Sequence, residues 1–165
     1  MVEINDIPAE VRWSLATRGA SALPLAYAKV YRERHGGELG EISGAIWTEA
    51  GKTQGALARA FNMPLKNAED VTRAFSTLST AVLGPELKGE VQVAQGRDCA
   101  RVVTTSCPYL SRAREMEEAP ETICPDCRAY CTAAVESLNP AYGIAFGSRM
   151  CLGGETCQMT IEPKR

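Results

Sequence analysis

The chain has 165 residues, and its 45% hydrophobic and 23% charged content is typical of a folded globular protein. Its formal net charge is −2, with acids and bases interspersed, so neither nucleic acid nor an anionic membrane is expected as a partner. No apolar run approaches the roughly 20 residues of a membrane-spanning helix. The first residues, MVEINDIPAEVRW, carry acids where a secretory signal carries a basic stretch. We therefore expect a cytoplasmic protein.

The first predicted helix begins near Asp6 and Pro8, because proline is well tolerated in the first turn of a helix. It continues to about Arg34, with a kink or break expected at Pro24. The segment 35–37, His-Gly-Gly, ends it.

A second helix is predicted over about 38–62, and a third over about 67–83. The second contains Gly44, Gly51 and Gly55, and glycine costs about 1 kcal/mol in a helix interior. Three such residues indicate that a neighbouring backbone or a ligand approaches this helix closely.

The chain changes character after residue 85. The segment EVQVAQGRDCARVVTTS predicts a β-hairpin, and a charged helix follows Cys107-Pro108. Another helix is expected from the region of Pro120 and Pro125 to Asn139, and the segments YGIAFGSRM and TCQMTIEP predict a second hairpin around LGGE. This order predicts an α+β fold in which N-terminal helices pack on an antiparallel sheet.

All seven cysteines follow residue 98, so the C-terminal half is cysteine-rich. An odd number cannot pair completely within one chain, and a cytoplasmic environment keeps thiols reduced. No linker separates the two halves. We therefore expect one domain, 1–165, with a helical layer over 1–85, and hairpins and a cysteine-bearing helix over 86–165.

The cysteines form a pattern with metal-ligand spacing. In CPDCRAYC, helical periodicity places Cys124, Cys127 and Cys131 on one face, and the helix start favours thiolate, the form that binds metals. Cys151 and Cys157 lie on either side of the second hairpin turn, where their sulfurs can converge.

The candidate ligands of a metal site are Cys107, Cys124, Cys127, Cys131, Cys151 and Cys157. Four thiolates suit tetrahedral zinc and equally suit an iron–sulfur cluster, and the spacing does not decide between them. The alternative is that these cysteines are small apolar residues of a core face.

The motifs Cys107-Pro108, Cys124-x-x-Cys127 and Cys151-LGGET-Cys157-QMTI resemble the end of the 4-vinyl-reductase-type ligand-binding domains. They are also similar to the related L-2-amino-thiazoline-4-carboxylic acid hydrolase-like proteins. The resemblance implies a helical layer on an antiparallel sheet, a small apolar ligand between the layers, and a homodimer. It also implies zinc bound by cysteines and an acid, but Ser148 stands where the family often has that acid.

Three functions follow as hypotheses. The first is a cytoplasmic metal-binding domain that holds a small organic ligand for sensing or transport. The second is a metal-dependent hydrolase of a 2-aminothiazoline-4-carboxylate-like substrate, in which Asp126 or Glu155 serves as general base. The third is an iron–sulfur redox protein. The single histidine, His35, is expected to end a helix rather than to act chemically.

Overall fold

The structure is a computed structural model that describes residues 3–36 and 40–164. The α-helices in these ranges are α1 (Ala9–His35), α2 (Gly40–Ala60), α3 (Ala68–Leu83), α4 (Pro108–Glu115) and α5 (Cys124–Leu138). The strands are β1 (Lys88–Val93), β2 (Ala100–Ser106), β3 (Tyr142–Phe146) and β4 (Cys157–Pro163). Short 3-10 helices cover Ile4–Asp6, Pro120–Ile123 and Met150–Leu152. The predicted α+β fold is therefore confirmed.

The four strands form one antiparallel sheet in the order β1-β2-β4-β3. In β2, Ala100, Val102 and Thr104 are buried and alternate with more exposed residues, so one face of the sheet is covered. Val102 is paired with Met159 of β4, which is also buried. Helices α3 and α5 pack on this covered face.

Local signals explain the helix ends. Asn67 caps α3 by accepting a hydrogen bond from the Asp70 amide at 2.8 Å. Gly36 ends α1 with a φ of 64°, a left-handed conformation that glycine adopts without strain. Residues 37–39, where the second helix was predicted to begin, lie outside the described residues, and α2 is described from Gly40.

Of the three glycines named above in the second helix, Gly51 and Gly55 allow close packing, as predicted. A Cβ on Gly51 would meet the carbonyl oxygen of Tyr130, and one on Gly55 would meet that of Ser137. Both contacts are with α5, which α2 follows closely. The main packing partner of α2 is therefore α5.

Two further details differ from the prediction. Helix α1 continues through Pro24 without a break. The second hairpin is shorter than predicted, since β3 ends at Phe146 and the 3-10 turn Met150–Leu152 carries Cys151 outside the strand. Cys151 therefore contacts the start of α5 instead of the opposite strand.

The buried apolar residues form two clusters. The larger lies between α2, α3, α5 and the sheet, with Val71, Phe75 and Ile161 among its members. The smaller joins Leu25 of α1 with residues of α4 and Ile123. Within the described ranges, no helix is both long enough and apolar enough to cross a membrane.

Candidate ligand cavity and cysteine cluster

A cavity of about 620 Å³ lies between the two apolar clusters. Helices α2, α3, α4 and α5 contribute to its walls, and so do β2, β4 and the β3–β4 loop. Its large apolar and aromatic lining residues are Trp47, Phe75, Val82, Leu83, Leu87, Val102, Tyr109, Leu110, Ile123, Tyr130, Phe146, Met150 and Met159. Its size and lining are typical of a small-molecule site.

Aromatic rings and a buried amide organise one wall of the cavity. Trp47 packs edge-on against Tyr109, with ring centroids 5.2 Å apart, and against Tyr130 at 6.1 Å. Gln54 is fully buried behind this wall and contacts the hydroxyls of Ser79 at 3.0 Å and Tyr130 at 2.5 Å. These contacts hold the Tyr130 ring in place against the cavity.

The six predicted cysteines all line this cavity. The seventh, Cys99, which was not a candidate ligand, precedes β2 and does not line it. The C-terminal cysteines therefore converge in space, as the sequence pattern predicted, although their bonding differs from the prediction.

Cys124 and Cys151 form a disulfide that joins the first residue of α5 to the 3-10 turn of the β3–β4 loop. Their Cα atoms are 6.2 Å apart. The expectation that these thiols stay reduced and unpaired is therefore wrong for this structure. In a disulfide neither sulfur is a thiolate, so this pair does not supply metal ligands in this state.

The other four lining cysteines are free thiols. The Sγ atoms of Cys127 and Cys131, one helical turn apart on α5, are 3.9 Å from each other. The Sγ of Cys157 accepts a hydrogen bond from the Met150 amide at 3.3 Å. Cys107 precedes Pro108 at the junction of β2 and α4.

The environment separates these thiols by acidity. The hydrogen bond from Cys131 lowers the pKa of Cys127 and raises that of Cys131, and the charge of Arg149 lowers the pKa of Cys127 further. Burial raises the pKa of Cys107 to about 11 and also raises that of Cys157. Cys127 is thus the thiol of this group that most readily becomes a thiolate.

The residues, as arranged here, do not fit the predicted metal centre. Tetrahedral zinc with Zn–S bonds of about 2.3 Å places its sulfurs about 3.8 Å apart, a spacing that Cys127 and Cys131 meet. However, among residues 3–36 and 40–164 no three Cys, His, Asp or Glu side chains form a group that could hold a metal ion. Zinc or an iron–sulfur cluster therefore stays a prediction.

The two candidate catalytic acids lie outside the cavity. Asp126 accepts hydrogen bonds from Ser43 at 2.7 Å and from the Tyr109 hydroxyl at 3.5 Å, so it links α2, α4 and α5. Glu155 is exposed in the β3–β4 loop. Burial and the neighbouring Asp126 raise the pKa of Tyr109, which keeps its hydroxyl protonated as a donor to that carboxylate.

The cavity carries positive charges and no negative ones, which the sequence reasoning missed. Its charged lining residues are Lys88, Arg128 and Arg149, and no Asp or Glu within residues 3–36 and 40–164 lines it. Arg128 lies over the Phe146 ring, with its guanidinium carbon 5.6 Å from the ring centroid. Arg128 directly follows Cys127 in the motif CPDCRAYC. The sequence therefore placed it on the same predicted helix as the candidate cysteines, and this was the signal that could have identified it.

Comparisons with known proteins show a shared fold. No family model and no curated protein sequence matches the chain. One similar solved structure is the phenol-responsive sensory domain of the transcription activator PoxR with phenol. It is 15% identical with a TM-score of 0.59, over 89% of this chain and 74% of that one.

A second is trafficking protein particle complex subunit 3 from Naegleria fowleri, covalently bound to palmitic acid. It is 11% identical with a TM-score of 0.57, over 94% of this chain and 96% of that one. At these identities the likeness concerns the fold, in which helices cover one antiparallel sheet.

Proposed function

We propose that this protein binds a small, largely apolar organic molecule in the cavity between its helices and its sheet, for sensing or transport. The observation that carries the proposal is the cavity of about 620 Å³ with its aromatic and aliphatic lining. Such a lining favours apolar ligands because their transfer from water gains about 25 cal/mol per Å² of apolar surface.

The two solved structures of similar fold support this proposal. The PoxR domain contains phenol, and the Naegleria subunit carries palmitic acid, so this fold holds apolar molecules in two proteins of low similarity to this one. The resemblance of the cysteine motifs to the 4-vinyl-reductase-type ligand-binding domains points to the same class.

The test is binding of a neutral fluorescent probe, N-phenyl-1-naphthylamine, to the purified wild-type chain and to two tryptophan variants. In one of them the new side chain fills the cavity, and the other is its control. Ala50 lines the cavity, and Ala56, on the same helix, is exposed. We expect one-to-one binding by the wild type, loss of binding by Ala50→Trp, and normal binding by Ala56→Trp. Absence of binding by the wild type, or equal binding by both variants, would contradict the proposal.

Metal-dependent functions remain separate predictions. Two of the six candidate ligands, Cys124 and Cys151, are paired in this structure, so the test is elemental analysis for zinc and iron after anoxic purification under reduction. Hydrolysis would appear as cysteine release from an aminothiazoline carboxylate that stops on chelation. Broad visible absorption that bleaches on reduction would indicate an iron–sulfur cluster.

A further inference from the structure

The charges that line the cavity are all of one sign. Lys88, Arg128 and Arg149 contribute positive charge, and in the part of the chain that the structure describes no carboxylate lines the cavity to oppose them. A positive charge at an apolar site is more stable when an anion is bound beside it. The attraction between the two charges is strong there because little water is present to weaken it. The lining therefore favours a ligand that carries negative charge.

Arg128 and Arg149 belong to the arginines that form no ion pair within the described residues, unlike Arg18, Arg32, Arg73 and Arg112. Arg112 and Arg18, for example, both form ion pairs with Glu86 and Glu115. Across residues 3–36 and 40–164, neither Arg128 nor Arg149 forms an ion pair or donates a side-chain hydrogen bond. Both guanidinium groups are therefore available to a bound molecule.

The two arginines also mark a boundary of the cavity. Together with Cys124 they line both the large cavity and a second one of about 580 Å³ on the other side of them. Glu121 and Glu136 line only the second cavity, and Glu136 is paired with Lys164 at 2.8 Å. An anionic group placed between Arg128 and Arg149 thus lies where the apolar lining ends.

From this arrangement we propose that the ligand is an organic carboxylate whose apolar body fills the large cavity and whose carboxylate is bound by Arg128 and Arg149. The inference rests on the proposed function and adds the chemical class of the ligand. Guanidinium groups bind carboxylates through paired, charge-assisted hydrogen bonds, which a neutral alcohol of the same length cannot reproduce. The arginines therefore favour ligands with a negative charge, and the apolar walls limit the size of the ligand.

The experiment compares three ligands of equal chain length, decanoate, decanol and decylamine, below their micelle-forming concentrations at pH 7.5. Each displaces N-phenyl-1-naphthylamine from the full chain. We expect decanoate to bind roughly tenfold more tightly than decanol, and decylamine to bind more weakly than either. Arg128→Gln and Arg149→Gln should each lower decanoate affinity several-fold, and lower decanol and probe affinity much less. The remaining probe binding also shows that the variants fold.

Two control variants locate the effect. Arg101→Gln removes an equal charge from an exposed position on β2, where the side chain contacts Thr160, and should not change decanoate binding. Lys88→Gln should change it less than Arg149→Gln. Equal affinity for decanoate and decanol, or a loss in Arg101→Gln or Lys88→Gln as large as in Arg149→Gln, would overturn the inference. Failure of the probe and of all three ligands to bind would instead reject the proposed function.

Discussion

At the level of single residues, Gly51 and Gly55 determine how closely α2 approaches α5. Each would place a Cβ against a carbonyl oxygen of the other helix, and backbone atoms cannot move aside as a flexible side chain can. The Gly55 amide also donates to Ser137 Oγ at 3.1 Å. The approach of the two helices positions Tyr130 and Trp47 on the cavity wall.

We predict that Gly55→Ala lowers the free energy of unfolding by about 1–3 kcal/mol, the usual range for overpacking. Gly44→Ala is the matched control, because a Cβ at Gly44 has no neighbour within 4 Å. That change should raise stability by up to about 1 kcal/mol through helix propensity. Urea unfolding measures both, and equal effects of the two substitutions would contradict the described helix contact.

The acidity of Cys127 leads to a second prediction at this scale. Because its pKa is lowered by Cys131 and Arg149, its thiolate forms at a lower pH than that of Cys107 or Cys157, whose pKa values are raised. We expect Cys127 to react with iodoacetamide faster than these two at pH 7.5, and Arg149→Gln to slow it. Peptide mass spectrometry over a pH series measures the rates, and faster alkylation of Cys107 would refute the prediction.

At the level of elements, the Cys124–Cys151 disulfide connects a helix with a loop, two segments that are not neighbours in a sheet. It joins the start of α5 to the loop between β3 and β4, both of which form cavity walls. The 3-10 turns Pro120–Ile123 and Met150–Leu152 also contact each other here. The cavity wall at this point therefore depends on a covalent bond as well as on packing.

We predict that reducing this disulfide lowers the free energy of unfolding by about 3.5 kcal/mol, the chain-entropy value for a loop of 27 residues. Cys151→Ser should be as unstable as the reduced wild type and insensitive to reductant, whereas Cys99→Ser should keep the sensitivity. Alkylation of unreduced, denatured protein should modify five of the seven cysteines. Modification of all seven would show that this bond is absent in solution.

At the level of the whole molecule, helix α1 leaves an apolar surface exposed. It packs on α3 and α4, yet Leu15, Leu23, Tyr27 and Val30 remain exposed at spacings that place them along one side of the helix. Exposed apolar patches of this kind mark association surfaces. The homodimer implied by the family resemblance remains a prediction, and this surface is the candidate for it.

We expect the double variant Leu23→Glu/Tyr27→Glu to be a monomer, and the wild type to sediment as a dimer at micromolar concentration. Phe61→Glu, an exposed apolar residue after α2, is the control and should not change the oligomeric state. Analytical ultracentrifugation gives the masses. A monomeric wild type, or dimers of both variants, would exclude α1 as the interface.

The sequence by itself determined the order of the elements and the face of α5 on which the cysteines lie. These features depend on local signals, such as the helical spacing of Cys124, Cys127 and Cys131 and the breaks at Gly84-Pro85 and Asn139-Pro140. The two hairpins were also predicted from local alternation, although β3 is shorter than expected. The break or kink expected at Pro24 was wrong as to a break, because helix α1 continues through this residue.

Only the tertiary structure decided the cavity, the bonding of the cysteines and the position of α2. The cavity is the space between two apolar clusters, and the pairing of Cys124 with Cys151 depends on a contact between segments 27 residues apart. The position of Arg128 and Arg149 on the cavity lining, where the described residues supply them no ion-pair partner, is likewise set by the tertiary structure. Such distances are set by how whole elements pack together, and sequence periodicity contains no information on them.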